Sequence, residues 1–472
     1  MGLFDKFRNT VKTWLLGDEA FIGVQEHVDF VQLRRDYRRG IQKQQLKVKI
    51  NQADDNVYMN FIKKIVDCSV SLLFGRGIEF DLPGGDDVQI GEKKEKRTPK
   101  EQEWLDTVWE LNNKSILLHK CAMAACESGT GFIKIIPGGR VGRDETIYPR
   151  LQFQDPMLVM MDTEERDFES VIRYTIRYIV VDRITGKEKG IKQVIELRED
   201  AGWWILDYES TSGKWELINE EKWEWEFPPL IHWQNLPSLD TPEGEPDITD
   251  DIIVLQDRIN FNCSNINKIL RFHAHPLRYG IDLGKPDKES LGPDQMLLFS
   301  SAQKFNQQVG GGKLGNLEMQ SDLVGAMGYL GLLIRTIFNN TRTVDISSIT
   351  EKLGQLTNFQ VEVIYQDALD KLATKRELYG DALLELNRRL LTIGGFNDTD
   401  PGVIVWPEVL PIDETEEVKL LEFDLGNKLA SKNTVQVKRK YDPEQENEKI
   451  AQEQEQEVSL GEVLLRGFQG GK

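Results

Sequence analysis

The run "FQVEVIYQDALDKLATKRELYGDALLELNRRLLTIG", Phe359 to Gly394, is about 36 residues long, carries no proline and spaces its apolar residues at helical intervals,. Two more rods accompany it. "DIIVLQDRINFNCSNINKILRFHAHP" follows the candidate caps Asp247 and Thr249 and runs to Pro276, roughly 39 Å of helix at about 1.5 Å per residue. "MQSDLVGAMGYLGLLIRTIFNNTR", 319–342, places Gly325, Gly328 and Gly331 at every third position. Each glycine costs a helix about 0.8–1 kcal/mol relative to alanine, so the spacing predicts close packing of another helix on this one. Between this rod and the run from Phe359, "SSITEKLGQLTN" is small, polar and proline-free, carries both charges and has no recognisable catalytic group beside it. Two long helices flanking such a segment predict a mobile connection exposed to something large.

The remaining elements predict an α+β chain. Tyr58, Phe61, Ile62, Ile65, Val66, Val70, Leu72 and Leu73 form a helical stripe that stops at Gly75, and "GIEF" then opens an extended segment,. Residues 84–100 are polar and Gly-rich and read as a loop or insertion, and a second helical region covers 101–127,. "SGTGFIKIIPGGR" places a short Ile-rich strand between turns. Alternation in "SVIRYTIRYIVVD", "GIKQVIELR" and "GWWILDYES" predicts a mostly antiparallel sheet over 130–235, packed on the two preceding helices, with the tryptophans of "GWWILD" and "KWEWEF" filling one sheet face,. Within 277–318, "PLRYGI" and "QMLLF" are short strands, while "NQQVGGGKLGNLEMQ" reads as flexible. "GGGKLG" is no phosphate-binding loop, because Leu314 follows Lys313 where Ser or Thr is needed,. A strand and a helix follow in "VIVWPEVLPIDETEEVKLLEFDLGNKLASKNTV".

Composition narrows the function. The formal net charge of −19 argues against a general nucleic-acid-gripping surface, which needs basic groups to displace counterions,. "RRDYRRG" at 34–40 packs four arginines into six positions, and these either meet phosphate or an acidic neighbour or form a solvated helix face,. Cys68, Cys121, Cys126 and Cys263 match no disulfide or zinc spacing and read as small buried residues,. His273 and His275, two apart on a helix, point to different faces and make no metal pair,. No "HExxH", "GxSxG", Walker or "GxGxxG" motif occurs, so no enzyme, cofactor or metal is expected,. No apolar run reaches membrane-spanning length,. The opening "MGLFDKFRNTVKTWLL" is an amphipathic helix, with Phe4, Phe7, Val11, Trp14 and Leu15 on one side, expected to dock on protein without stable membrane association,. Near the C-terminus, 442–458 sets seven acids (Asp442, Glu444, Glu446, Glu448, Glu453, Glu455 and Glu457) against one lysine, which fits a solvated helix or a disordered tail,.

The order of "YRRGI", "NFIKKIVDCSVSLLFGRGIEF", "GTGFIKIIP", "DITDDIIVLQDRIN", "LGQLTNFQVEVIY", "LPIDETEEV" and "LASKNTV" resembles that of portal proteins of long-tailed phages from Gram-positive hosts, over roughly 30–440. The resemblance implies a homo-oligomeric ring of about twelve copies at one capsid vertex, between head and tail, assembled in the host cytoplasm. Double-stranded DNA would pass through it without sequence specificity. The implied partners are the terminase packaging motor, the major capsid and scaffolding proteins and the head-tail connector. By the same resemblance, 1–29 is an N-terminal arm, 30–247 the wing, 248–276 the first stem helix, 277–318 the clip and 319–343 the second stem helix. Residues 344–359 are then the tunnel loop, 360–412 the long wing helix and strand, 413–460 the crown and 461–472 a tail. The clip strands are expected to pair across copies, since a lone two-strand unit is marginal. The loop would meet DNA through Asp345, Ser347, Ser348, Thr350, Glu351, Lys352, Gln355, Thr357 and Asn358, and Gly325, Gly328 and Gly331 would pack the stem. Another virion structural or adaptor protein without a channel is the alternative reading, and a DNA-processing enzyme a more remote one.

Overall fold

In the computed structural model the described residues are 24–48, 54–83, 87–90, 93–96, 99–142, 145–181, 186, 188–198, 201–210, 214–239, 241–274, 277–281, 296–299, 313–317, 323–345, 358–396, 400–410, 414–427, 429–438, 443, 446–447 and 449–450. The N-terminal amphipathic segment, His275 and most of the acidic tail lie outside them. The chain divides into two compact units, residues 1–354 with 364–407, and residues 355–363 with 408–472.

Helices α1 (Val24–Arg38) and α2 (Phe61–Phe74) begin the described part of the first unit. Asn60 Oδ1 caps α2 by accepting the Lys63 N–H at 3.0 Å,. The stripe read from the sequence is buried at Ile62, Ile65, Val66, Val70, Leu73 and Phe74, whereas Tyr58 precedes the helix and is exposed. After Gly75 the chain enters β1 (Glu79–Asp81). Within residues 84–100, read as a loop or insertion, β2 (Asp87–Ile90) and β3 (Lys93–Lys96) pair as an antiparallel hairpin.

The helical region over 101–127 resolves into α3 (Lys100–Leu111) and α4 (Lys114–Ser128), broken at Asn112 and Asn113. Asn113 takes φ 52°, a left-handed conformation that Asn tolerates better than most residues,. The Asn112 amide donates to the Pro149 carbonyl and accepts the Leu151 N–H, each at 2.9 Å, which ties the break to the neighbouring strand. Helix α4 stops at Gly129, φ +91°, where a Cβ would lie 1.9 Å from the Gly244 carbonyl oxygen,.

The antiparallel sheet expected over 130–235 is present as two sheets. One has the order β11-β4-β5, from β4 (Thr130–Val141), β5 (Ile147–Gln154) and β11 (Leu230–Gln234). Strand β4 is far longer than the short strand expected, and it continues past an irregularity between Ile136 and Gly139. The other has the order β10-β9-β8-β7-β6, from β6 (Val159–Glu164), β7 (Asp167–Val181), β8 (Glu188–Arg198), β9 (Gly202–Ser210) and β10 (Glu216–Lys222). Phe132, Tyr174, Ile176, Ile195, Trp203, Trp223 and Leu230 close the core between them. Trp203 and Trp223 therefore fill a sheet face, as their alternation predicts,.

His232 sits against this core, with Nδ1 2.9 Å from the Tyr174 hydroxyl. Burial, with help from Arg389, lowers its pKa to about 4. An unfolded histidine takes up its proton near pH 6.5 and the folded one only near 4, so this contribution is complete above the unfolded value and declines as pH falls between the two,. Chemical denaturation at pH 7 and pH 5 is expected to show a loss on the order of 2 kcal/mol from this group. A His232→Gln variant should show a flatter profile, and an unchanged profile would remove His232 as the cause.

Helix α5 (Asp250–Ala274) shows why the rod pattern contains so many amides. Gln256, Asn260 and Ser264, four residues apart and fully buried, satisfy the extended backbone before α2,. Gln256 accepts the Phe61 N–H at 3.1 Å, Asn260 accepts the Met59 N–H at 2.9 Å and Ser264 accepts the Val57 N–H at 2.9 Å. Further along α5, Arg271 pairs with Asp55 at 2.6 Å.

Next come β12 (Leu277–Ile281), β13 (Met296–Phe299) and β14 (Lys313–Leu317), a sheet of order β13-β12-β14 with β12 parallel to β13 and antiparallel to β14. Lys313–Leu317, within the stretch read as flexible, adds a third strand from the same chain to the two that the sequence pattern predicts. Helices α6 (Leu323–Asn340) and α7 (Asn358–Ile393) follow, and then β15 (Val403–Val405), which pairs with β1. Within the first unit, α7 buries Leu372, Tyr379, Leu383, Leu386 and Leu390, the three-and-four spacing read from the sequence,. Trp109 donates to Asn387 Oδ1 at 2.9 Å and stacks on Phe80.

The second unit contains α8 (Glu414–Gly426) and α9 (Lys432–Lys438). Ser431 Oγ caps α9 by accepting the Thr434 N–H at 3.1 Å,.

Candidate channel segment and its anchorage

Of the residues assigned to the channel loop, Ser347, Ser348, Thr350, Glu351, Lys352, Gln355 and Thr357 lie outside the described residues. Asp345 is the last described residue before them and Asn358 is the first residue of α7. What the structure describes is the root of the segment in the first unit.

Helix α6 ends in a tight turn. The Thr343 N–H returns to the Phe338 carbonyl at 2.9 Å, and Arg342 takes φ 52° at the position where helices usually place glycine,. A non-glycine residue there is strained by about 1 kcal/mol or more. Phe338 is buried edge-on against Phe61, and Lys64 lies 4.6 Å above its ring. The same Lys64 ammonium stands 3.8 Å from Asp345, whose side chain is only 15% exposed. Asp345 is thus held at the root of the segment. A cleft of about 280 Å³ opens beside it, with Arg335, Arg342, Asp345 and Asp367 on its walls.

On the other side of this root is a buried ion cluster that sequence reasoning missed. Asp247, read as a helix cap, is fully buried and accepts from Lys371 at 3.0 Å and Lys375 at 2.7 Å. Asn235 donates to its other lone pairs at 3.3 Å, and the Tyr379 hydroxyl donates to Asn235 Oδ1 at 3.0 Å. Lys371 also donates to the Thr341 carbonyl at 3.0 Å, which ties the end of α6 to the cluster. Lys375 reaches Ser69 Oγ at 3.0 Å and Cys126 Sγ at 3.5 Å. Burial would raise the Asp247 pKa, but the two ammonium groups overcome it and hold the carboxyl well below the usual range,. Burial pushes the Cys126 thiol up to about 12, so it stays protonated. All four cysteines are free; Cys121, Cys126 and Cys263 are buried, as expected, and Cys68 is half-buried.

The arginine cluster is also absorbed internally. Arg34 bonds the Ile248 carbonyl and Asp250, both at 2.7 Å. Arg35 grips Asp155 through both terminal nitrogens at 2.8 Å and Glu127 at 2.9 Å, and Arg38 meets the other oxygen of Glu127. Of the readings open for "RRDYRRG", the acidic neighbour holds for these three arginines. The acids lie between 89 and 216 positions away, so no local pattern could have named them.

Two glycines of α6, Gly328 and Gly331, face open space among the described residues. A Cβ on Gly328 or Gly331 would have nothing within 4 Å, and Gly325 and Gly328 are exposed. Beside them Val324 is 82% exposed and Met327 63%, with Tyr329 and Leu332 also open. Among the described residues no group of three or more His, Cys, Asp or Glu could hold a metal, and no helix is long and apolar enough to cross a membrane.

The architecture is thus one of long rods joined to antiparallel sheets, in which α6 buries Leu333, Ile337 and Phe338 and exposes Val324, Met327 and Leu332. The family described as phage portal protein, SPP1 Gp6-like, matches residues 25–460, and the chain belongs to it. It is a family of structural proteins, and the role of the chain is that of a portal in the capsid. No curated protein matches the chain. Among solved structures, a chain from "Virion of native gene transfer agent (GTA) particle" is similar at 12% identity and TM-score 0.43, over 88% of this chain and 94% of that one. A chain from "Neck of empty GTA particle computed with C6 symmetry" is similar at 13% identity and TM-score 0.40, over 81% of this chain and 90% of that one.

Proposed function

We propose that about twelve copies close into a ring at one capsid vertex, between head and tail. Its channel passes double-stranded DNA inward during packaging and outward during ejection. The observation that supports this reading is the open face of α6 in a chain of the portal family, with Val324, Met327 and Leu332 on one helical stripe and Gly328 and Gly331 among them. An apolar stripe this exposed is costly in water, and a second copy of the same helix covers it while the glycines let the backbones approach. In this reading 248–276 and 319–343 form the stem, 277–318 the clip that meets the terminase motor and later the head-tail connector, and 344–359 the tunnel loop. Residues 30–247 with 360–412 form the wing that contacts capsid and scaffolding proteins, and 413–460 form the crown.

The net charge of −19 suits a channel that must release what it passes, since each phosphate neutralised adds salt-dependent affinity,. Asp345, paired with Lys64, anchors the loop root, which leaves Glu351 as the acid that limits adhesion in this reading. Negative-stain images of the purified protein are expected to show rings with a central hole. Glu351→Lys rings should assemble normally yet package DNA more slowly, with the defect largest at low salt. Normal packaging rates across the salt range would remove the loop from the DNA path.

A further inference from the structure

Behind the root of the channel segment lies a small cleft of about 20 Å³, walled by Ser69, Arg342, Thr343, Lys371 and Lys375 together with Cys68 and apolar neighbours. Its chemistry is one-sided. Three of its wall residues are cations and none is a carboxylate. The nearby Asp247 faces both lysines from behind, so one buried negative charge meets two buried positive charges. Cys126 does not make up the difference, because its buried thiol keeps its proton at neutral pH.

The donors are also incompletely used. The three protons of Lys375 are taken by Asp247, Ser69 and Cys126. Lys371 places two, on Asp247 and the Thr341 carbonyl, and keeps a third,. Ser69 Oγ accepts from Lys375 and has its own proton to give,. Arg342 is exposed, makes no side-chain hydrogen bond or ion pair among the described residues and also lines the neighbouring cleft with Asp345 and Asp367, and its backbone is held in the left-handed region where glycine would be relaxed,. A strained arginine, a nine-tenths buried lysine and a free hydroxyl therefore converge on one cleft.

We infer that this cleft is a binding site for a single small monovalent anion of the halide class, held by Lys371, Ser69 and Arg342. Size and charge point to the class: the cleft has room for about one water-sized particle among its donors, and the cluster behind it carries one positive charge in excess, which suits a small monovalent anion,. The anion neutralises the excess positive charge of the Asp247–Lys371–Lys375 cluster. Because Lys371 also holds the Thr341 carbonyl, the bound anion fixes the turn from which the channel segment departs. The site lies within one protomer and does not depend on ring closure.

The test is thermal unfolding of the full-length protein in sodium chloride, bromide, sulfate and gluconate at matched ionic strength. Chloride and bromide should give a saturating rise in melting temperature on the order of 2 °C over gluconate. Sulfate should give less at low concentration, against its usual rank as the stronger stabiliser. Arg342→Gly, which relieves the backbone strain and so folds, should melt at or above the wild-type temperature in gluconate and lose the halide increment. Ser69→Ala should reduce that increment, and chloride-35 NMR of the wild type should show line broadening that Arg342→Gly abolishes. Equal melting in chloride and gluconate, or a full halide increment in Arg342→Gly, overturns the site.

Discussion

Asp247→Asn is expected to lower the unfolding free energy by about 3–5 kcal/mol, because it leaves two buried ammonium groups facing each other without their shared carboxylate. Asp247 has no exposed surface, and the Lys375 side chain is 2% exposed. Solvent therefore offers little compensation. Urea denaturation at pH 7 measures the loss, and a change below about 1 kcal/mol would mean the cluster is far better hydrated than its burial implies. The pH dependence follows from the direction of the shift. A carboxyl depressed in the folded state contributes fully above its unfolded value of about 3.9 and loses that contribution only as pH falls through the lower folded value. The deficit of the variant should thus stay constant between pH 5 and 8 and narrow only in strong acid. Replacing the three partners together, Asp247→Leu with Lys371→Met and Lys375→Met, should recover much of the loss, since no unpaired charge then remains.

The second large effect is on assembly. Met327→Glu with Leu332→Glu places two charges per copy on the open stripe of α6. Both positions are exposed in the protomer, so helix content and melting of the isolated subunit should change little. Between copies, the paired charges lie where apolar surface is to be covered, and burying them without partners costs several kcal/mol per contact. The expected result is loss of the ring peak in sedimentation velocity, replaced by protomer. Rings of wild-type stability in this variant would move the subunit interface off α6 and remove the observation that supports closure.

Much of the fold was legible in consecutive residues. The stripe Ile62–Ile65–Val66–Val70–Leu73, the spacing Leu372–Tyr379–Leu383–Leu386–Leu390 and the alternation around Tyr174, Ile176 and Trp203 each declare an element and its buried face. In a helix or strand the positions that share a face recur with a period set by backbone geometry alone, so the pattern is local. The family was legible too, from stretches spread along the chain, and the family match covers residues 25–460.

The sites were not legible in the same way. Nothing near Asp247 distinguishes a helix cap from the centre of an ion cluster, because Lys375 lies 128 positions away. "RRDYRRG" reads alike whether its arginines face phosphate or Glu127, Asp155 and Asp250, and the amides of "INFNCSNINK" read as a polar face until the backbone of 57–61 is laid against them. The third strand of the β12 sheet hid in a glycine-rich run, since a strand so short is stabilised by its ladder with β12 and hardly by its own side chains,. The sequence by itself determined the long helices and the main strands, which face of each seeks burial, and the family to which the chain belongs. Which charges meet, which polar groups are satisfied and which apolar face stays exposed was decided only by the tertiary structure. A charge's energy depends on the partner and dielectric around it, and both are set by residues brought from distant parts of the chain.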